Sequence, residues 1–321
     1  MTPLDTQQYT AQQVTVRQAV EQAQTAWTRL DVADLEQSWE ADVRPEVVTA
    51  VEQAQAQAAG LAQSYVLGTL AAAAAVSAPL GLLVAGAFVG MAANGLLLAP
   101  LLDFAVGYLR RALDLGAPPS EARALGLHRL LTYVSTEVAD TGRLAVQIAA
   151  TVEPEIAGYE RVVVLPACGR CVILSGRLYR YSQGFLRHPR CDCGMKPVTH
   201  DQWGTGPASA SPGTLFERMT RAQQDKAFGA DAAEAIRTGA DMSRVVNARR
   251  RGAVYTAGGY EFTREATTKR GVGRQLGELS KRPGSRYVRS RVDRPTPAQL
   301  VNAADDRAEL VHQLKRFGYI R

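Results

Sequence analysis

The sequence predicts a mainly α protein with a small α+β module, and three observations carry that expectation. Residues 8–30 and 35–65 are rich in Gln, Ala and Glu, and only Pro45 interrupts them, so they read as long helices. All four cysteines fall within residues 168–193, between short runs of β-branched and aromatic residues. Beyond residue 213 the chain turns to short helical segments and an arginine-rich stretch with little apolar periodicity. Four parts are expected: a helical N-terminal region, 1–117; a β-hairpin module tied by its cysteines, 118–203; a linker, 204–213; and a short helical region with a basic arm, 214–321.

Taken in order, Pro45 should start a second helix or kink the first, because it lacks an N–H and clashes with the preceding turn. No Asp, Glu, Lys or Arg occurs between Glu52 and Asp103. The stretch Gly68 to Gly90 passes a length test for spanning a bilayer, and Arg110 and Arg111 follow it. Ala and Gly contribute little hydrophobicity each, however, and Asn94 interrupts the far half. Val66 to Leu102 is therefore expected to be buried in helix packing, within the monomer or against a sister subunit, with Pro79 and Pro100 marking helix breaks. Membrane contact is the alternative. Pro118-Pro119-Ser120-Glu121 then marks a helix start with Ser120 as N-cap, and Leu125, Leu127, Leu130, Leu131, Val134 and Val138 continue at helical spacing. Asp140 and Arg143 share one face of that helix; they are a surface ion pair or a packing contact.

The cysteines form two tight pairs, Cys168-Gly-Arg-Cys171 and His188-Pro-Arg-Cys191-Asp-Cys193. A disulfide scaffold would scatter its cysteines among several loops. Two close pairs instead suggest two chelating arms around one ion, and zinc favours tetrahedral thiolate and imidazole donors. Cys168, Cys171, Cys191 and Cys193 are the candidate ligands. His188 is the reserve, should the one-residue spacing of Cys191 and Cys193 keep both from binding. The alternatives are a redox pair and thiols that pack or oxidise. A thioredoxin-like pair opens a helix after a strand; here Arg161 to Pro166 precedes the pair and Cys171-Val-Ile-Leu174 follows as a second apolar run. That order reads as strand, knuckle, strand. Four cysteines close a zinc site, and no Glu sits beside a ligand histidine, so the metal would be structural. Between the arms, Gly176 permits a tight turn and Leu178, Tyr179 and Tyr181 favour strand. A β-hairpin pinned by metal is expected, with ligand bonds substituting for core area.

These residues carry a resemblance. Cys168, Cys171, Leu174, Gly176 and Tyr179, followed by His188, Pro189, Cys191 and Cys193, resemble the paired signature of phage Mu F-like minor head (head morphogenesis) proteins, especially the actinobacteriophage type. Upstream, Asp140-Thr-Gly-Arg143 is similar to the family's D-x-G-R helix end, and residues 241–250 resemble it downstream. The resemblance covers roughly residues 85–321 and is strongest over 137–200. It implies a virion protein of few copies near the portal, acting in head assembly. Its implied partners are a portal, scaffold or major capsid protein and packaged DNA, and its implied setting is the capsid interior, with the host cytoplasm during assembly.

Charge adds to this. The net charge is +6 over 321 residues. Residues 1–60 hold three basic and nine acidic residues, whereas residues 218–321 hold 22 and 11. An acidic head joined to a basic tail suggests polyanion contact at the basic end. Arg249, Arg250, Arg251, Lys269, Arg270, Arg274, Lys281, Arg282, Arg286, Arg289 and Arg291 are the candidates for DNA binding without sequence preference. Around them, Thr214 should cap a helix to about Phe228, a second should run from Asp231 to Arg237, and Asp241 should open a third. Residues 252–293 should be an extended or partly disordered basic arm. Thr296-Pro297 begins another helix in an N-cap/N1 pattern, and Asp305 opens the last.

No phosphate-cradling loop and no clustered carboxylates suit an enzyme. Cysteines confined to one knuckle agree with a reducing compartment, and no leader is visible at Met1. The leading expectation is a structural minor head protein that is not an enzyme, possible as a homo-oligomer and without a membrane span. The alternatives are a nucleic-acid-binding zinc module and a metal-dependent nuclease or toxin-like protein.

Overall fold

Thr2 and Asp5 start the first helix by a reciprocal cap: the Thr2 hydroxyl accepts from the Asp5 N–H, and the Asp5 carboxylate accepts from the Thr2 N–H. In the computed structural model all residues are described except 182, 185–186, 251, 266–278, 281–282, 284–288 and 321; the side chains of residues 279 and 289–293 are likewise outside the description. The chain forms two units, Met1–Val163 with Gly176–Ser209, and Val164–Ser175 with Ala210–Arg321. The described residues are mainly helical, with two small antiparallel sheets.

In the first unit, α1 (Pro3–Trp27) is followed by a short α2 (Leu35–Gln37), a π-helical turn (Ser38–Val43) and α3 (Arg44–Ala72). Pro45 falls in the first turn of α3, where its missing N–H costs nothing. Next come α4 (Leu98–Asp114) and α5 (Pro119–Thr151). Pro119 takes the first helical position and Pro118 the cap, so Ser120 lies inside the first turn and is not the N-cap. Trp27, Trp39, Val47, Leu102, Leu109 and Leu130 meet in one core, with the two indoles edge to face at 6.1 Å. Because α5 supplies Leu130 and Val134 to that core, α5 belongs to one unit with the helices before Pro118. Ala54, Ala58 and Ala62 recur down one side of α3, all at most 5% exposed, and alanine there lets helix backbones approach closely.

The uncharged stretch departs from the expectation. Its first third is the buried side of α3, but residues 73–97 are mostly irregular, with a single 3-10 turn at Ala85–Phe88. Val76, Leu80, Leu82 and Val84 are exposed, so Val66 to Leu102 is not buried helix throughout. Pro100 does not break a helix; it sits in the first turn of α4. The loop's backbone is satisfied from remote side chains, which composition does not display. Gln55 donates to the Met91 carbonyl at 2.7 Å and accepts from the Gly90 N–H at 3.0 Å. Glu137 accepts from the Ala93 N–H at 2.6 Å, and Glu153 accepts from the Ala78 N–H at 3.3 Å and from the Ser77 hydroxyl at 2.7 Å. No helix among the described residues is long and apolar enough to cross a membrane.

The first sheet has the order β2-β1-β3, with β1 (Ile156–Val162) central, β2 (Leu178–Arg180) on one edge and β3 (Gly194–Thr199) on the other. Tyr159 pairs with Tyr179 and the rings stack at 5.2 Å. The hairpin is thus β1 with β2, pinched at its base by Arg161 N–H to Arg177 O at 2.9 Å and Gly176 N–H to Arg161 O at 3.0 Å. Gly176 takes φ +72°, the left-handed turn its residue type allows. Cys171 to Leu174 is not a second strand: α6 (Gly169–Val172) is one helical turn. After β3, α7 (His200–Thr205) is capped by Thr199.

In the second unit, α8 (Pro212–Arg218) is capped by Ser211 and α9 (Arg221–Phe228) by Thr220, so the single helix expected from Thr214 is two. They are followed by α10 (Ala230–Arg237) and α11 (Met242–Ala248), the latter capped by Asp241 as expected. The basic arm contains a sheet of order β4-β5-β7-β6: β4 (Val254–Ala257), β5 (Tyr260–Glu265), β6 (Leu279–Ser280) and β7 (Arg289–Pro295). Gly258 and Gly259 join β4 to β5 with φ +57° and +81°, the two left-handed positions that match hairpin twist. Then come α12 (Pro297–Ala303), capped by Thr296, and α13 (Arg307–Arg316), which Asp306 rather than Asp305 caps.

Candidate metal centre

The first arm is shaped by α6. Cys168 is its N-cap residue in extended conformation, and its carbonyl accepts from the N–H groups of Cys171 and Val172 at 2.9 and 3.0 Å. Cys168 is exposed, whereas Cys171 is buried at 2%. In the second arm a turn closes from the Cys191 N–H to the His188 carbonyl at 3.0 Å, with Arg190 at φ +61°. Cys191 and Cys193 are 2% and 1% exposed.

The donor atoms of Cys168, Cys171 and His188 all lie within 4.8 Å of one another, and so do those of Cys171, Cys191 and Cys193. Cys171 is common to both groups. This cluster could hold a metal ion. Each of the five candidate ligands named from the sequence falls in one of these two groups.

Two arginines support the second arm. Arg143, on α5, donates to the carbonyls of Cys191 and Cys193 at 2.9 and 3.1 Å. It also pairs with Asp140, to which Arg187 donates as well. Asp140 and Arg143 are thus a buried contact with the cysteine arm and not a surface pair. Arg161, on β1, places Nη2 3.5 Å from both Cys191 Sγ and Cys193 Sγ and is 1% exposed. A buried cation there compensates the negative charge that thiolates carry in excess of a divalent ion. The donors and their surroundings therefore fit a thiolate-bound metal. Sequence reading placed Arg161 only as the start of a strand. The available signal was a charged pair, Glu160-Arg161, within an otherwise apolar run. Glu160 accepts from the Ala208 and Ser209 N–H groups at 3.2 and 2.7 Å.

On the other side of the second arm, Tyr9 donates to Asp192 at 3.1 Å. Burial pushes the Asp192 carboxyl above the usual aspartate range, partly offset by that hydrogen bond. A cavity of about 40 Å³ lies beside them, lined by Gln8, Gln12 and Arg143 among others; it is the size of a water or two.

The basic candidates are less gathered. Arg249 lies 3.8 Å from Glu261, and Arg250 pairs with Glu265. Arg289 and Arg291 fall on β7. Arg251, Lys269, Arg270, Arg274, Lys281, Arg282 and Arg286 lie outside the described residues. No protein-family model, curated protein or solved structure matches the chain.

Proposed function

We propose that the chain is a structural virion protein, a minor head protein of the phage Mu F-like type, whose cysteine module is closed by one zinc ion. One observation carries the reading: Arg143, from the D-x-G-R segment, is seated on the backbone of the C-x-C arm, so two stretches that bear the resemblance work as one unit. Zinc is favoured over harder ions because the donors are thiolates and imidazole. Cys168, Cys171, Cys191 and Cys193 would hold it, with His188 beside them. A closed donor set supports a structural ion and a protein that is not an enzyme. The excess of basic residues over 218–321 supports non-specific contact with packaged DNA. Because Arg249 and Arg250 already face acidic partners, that contact falls mainly to the remaining basic residues. The proposed partners are portal, scaffold or major capsid protein, in the capsid interior and in the host cytoplasm during assembly.

Co-expression with the portal, scaffold and major capsid proteins of the same genome tests the reading. Gradient-purified heads should carry the chain at few copies and lose it when Cys171→Ser removes the shared donor. Heads that never retain the wild-type chain would overturn the proposal. Divalent-dependent cleavage of DNA by the purified chain would bring forward the nuclease reading.

A further inference from the structure

Helix α4 is apolar on two sides, and only one is covered. Leu98, Leu102, Ala105, Leu109 and Ala112 face the core and are at most 9% exposed. Around the helix from them, Leu97, Phe104, Tyr108 and Leu115 are 65%, 61%, 42% and 78% exposed. Leu101, partly buried, lies in the same row. Positions 97, 101, 104, 108, 111 and 115, apolar except for Arg111, alternate steps of four and three, the repeat of a helix–helix seam. Beside the row stands Gly107, in mid-helix, where glycine costs about 1 kcal/mol relative to alanine. A Cβ there would meet no described atom within 4 Å, so no contact among the described residues requires glycine. Open space next to an apolar row suits the close approach of another backbone.

We propose that this face is a homodimer interface, in which α4 packs antiparallel on α4 of a second copy across a two-fold axis near Gly107. Charge complementarity selects a second copy as the occupant. With Tyr108 of one copy over Phe104 of the other, Arg110 and Arg111 come opposite Asp103 of the other copy, and symmetry repeats the pairing. Asp103 is held on that flank by Arg44 at 2.7 Å and by the Trp39 indole at 3.0 Å, with its side chain still 37% exposed. Among the described residues Arg110 pairs with an exposed partner, Glu36 at 3.5 Å, and such a pair exchanges readily. A lipid surface offers no partner for the acid on this flank.

Sedimentation velocity on the full-length chain from about 1 to 100 μM tests this. The wild type should dimerise in that range. Two variants, Phe104→Glu with Tyr108→Glu and, separately, Gly107→Arg, should raise the dimer Kd about tenfold or more. At concentrations where the wild type is monomeric, Gly107→Arg should melt like it, since a Cβ there meets no described atom within 4 Å; the Tyr108 change also removes the ring that lies 4.3 Å from the Arg129 guanidinium. A wild type that stays monomeric throughout, or a dimer unchanged in both variants, overturns the proposal. A monomer that floats with phosphatidylcholine and phosphatidylglycerol vesicles, and loses flotation in the variants, makes lipid the occupant instead.

Discussion

Arg143 binds the two carbonyls that flank Asp192 while its other nitrogen meets Asp140, so one buried guanidinium ties α5 to the backbone of the C-x-C arm. Removing it takes a buried donor from both carbonyls and one of two cationic partners seen from Asp140 among the described residues. Arg143→Leu should cost about 3–5 kcal/mol, as expected for breaking a buried pair. The double variant Asp140→Leu/Arg143→Leu should cost less than the sum of the single changes. Urea denaturation of the four proteins measures the coupling, and strict additivity would show that the two side chains act independently.

Metal content should follow the donor geometry. Cys171 belongs to both donor groups, whereas Cys168 belongs to one and is exposed. Freshly reduced wild type should carry about one equivalent of zinc. Cys171→Ser should abolish binding, and Cys168→Ser should weaken it, with His188 retained as a donor. Elemental analysis after dialysis reads both, and reduced wild type without metal would rule out the centre.

Two glycines should respond oppositely to alanine. At Gly158 in β1 a Cβ would fall 2.1 Å from the Tyr179 carbonyl and 2.7 Å from the Trp203 ring, and a paired strand cannot shift to admit it. Gly158→Ala should destabilise by about 3 kcal/mol or more. At Gly142 the nearest atom is the Gln12 amide nitrogen at 1.7 Å, the tip of a flexible side chain. There the added methyl displaces Gln12, and helix propensity returns up to about 1 kcal/mol. Thermal melts that place the two variants together would contradict the distinction.

Asp5 should set part of the acid limb of stability. Burial raises its pKa, but the Thr2 hydrogen bonds, Lys196 and the Tyr65 hydroxyl together hold it below the usual aspartate value. Stabilisation from a lowered carboxylate is complete above the unfolded value of about 4 and is lost as pH falls through the folded value. Asp5→Asn should therefore lose about 1–3 kcal/mol at neutral pH and flatten the stability profile below about pH 4. Chemical denaturation across pH 2–7, a range set by about those values, checks it.

Local chemistry determined much of this protein from sequence alone. Asp241 and Thr296 stand where the sequence expects their helices to open, because a cap is a bond across three residues, whereas the Thr2 cap goes unread and the first helix is expected only from residue 8. The cysteine spacing picked out the residues that cluster for a similar reason: each arm is short enough that its own turn keeps its cysteines close. The Gly258-Gly259 hairpin is missed, because the abundance of Arg and Gly around it reads as an extended or partly disordered arm.

What only the tertiary structure decided lies where distant residues meet. The uncharged residues 73–97 have the composition of packed helices, but Gln55, Glu137 and Glu153 bond to their backbone as a loop from 35 or more residues away. Arg161 looks like any strand residue until pairing with β3 sets it beside Cys191 and Cys193. Long-range partners carry no spacing in the chain, since what selects them is burial: a polar group removed from water must find its hydrogen bond wherever the fold supplies one.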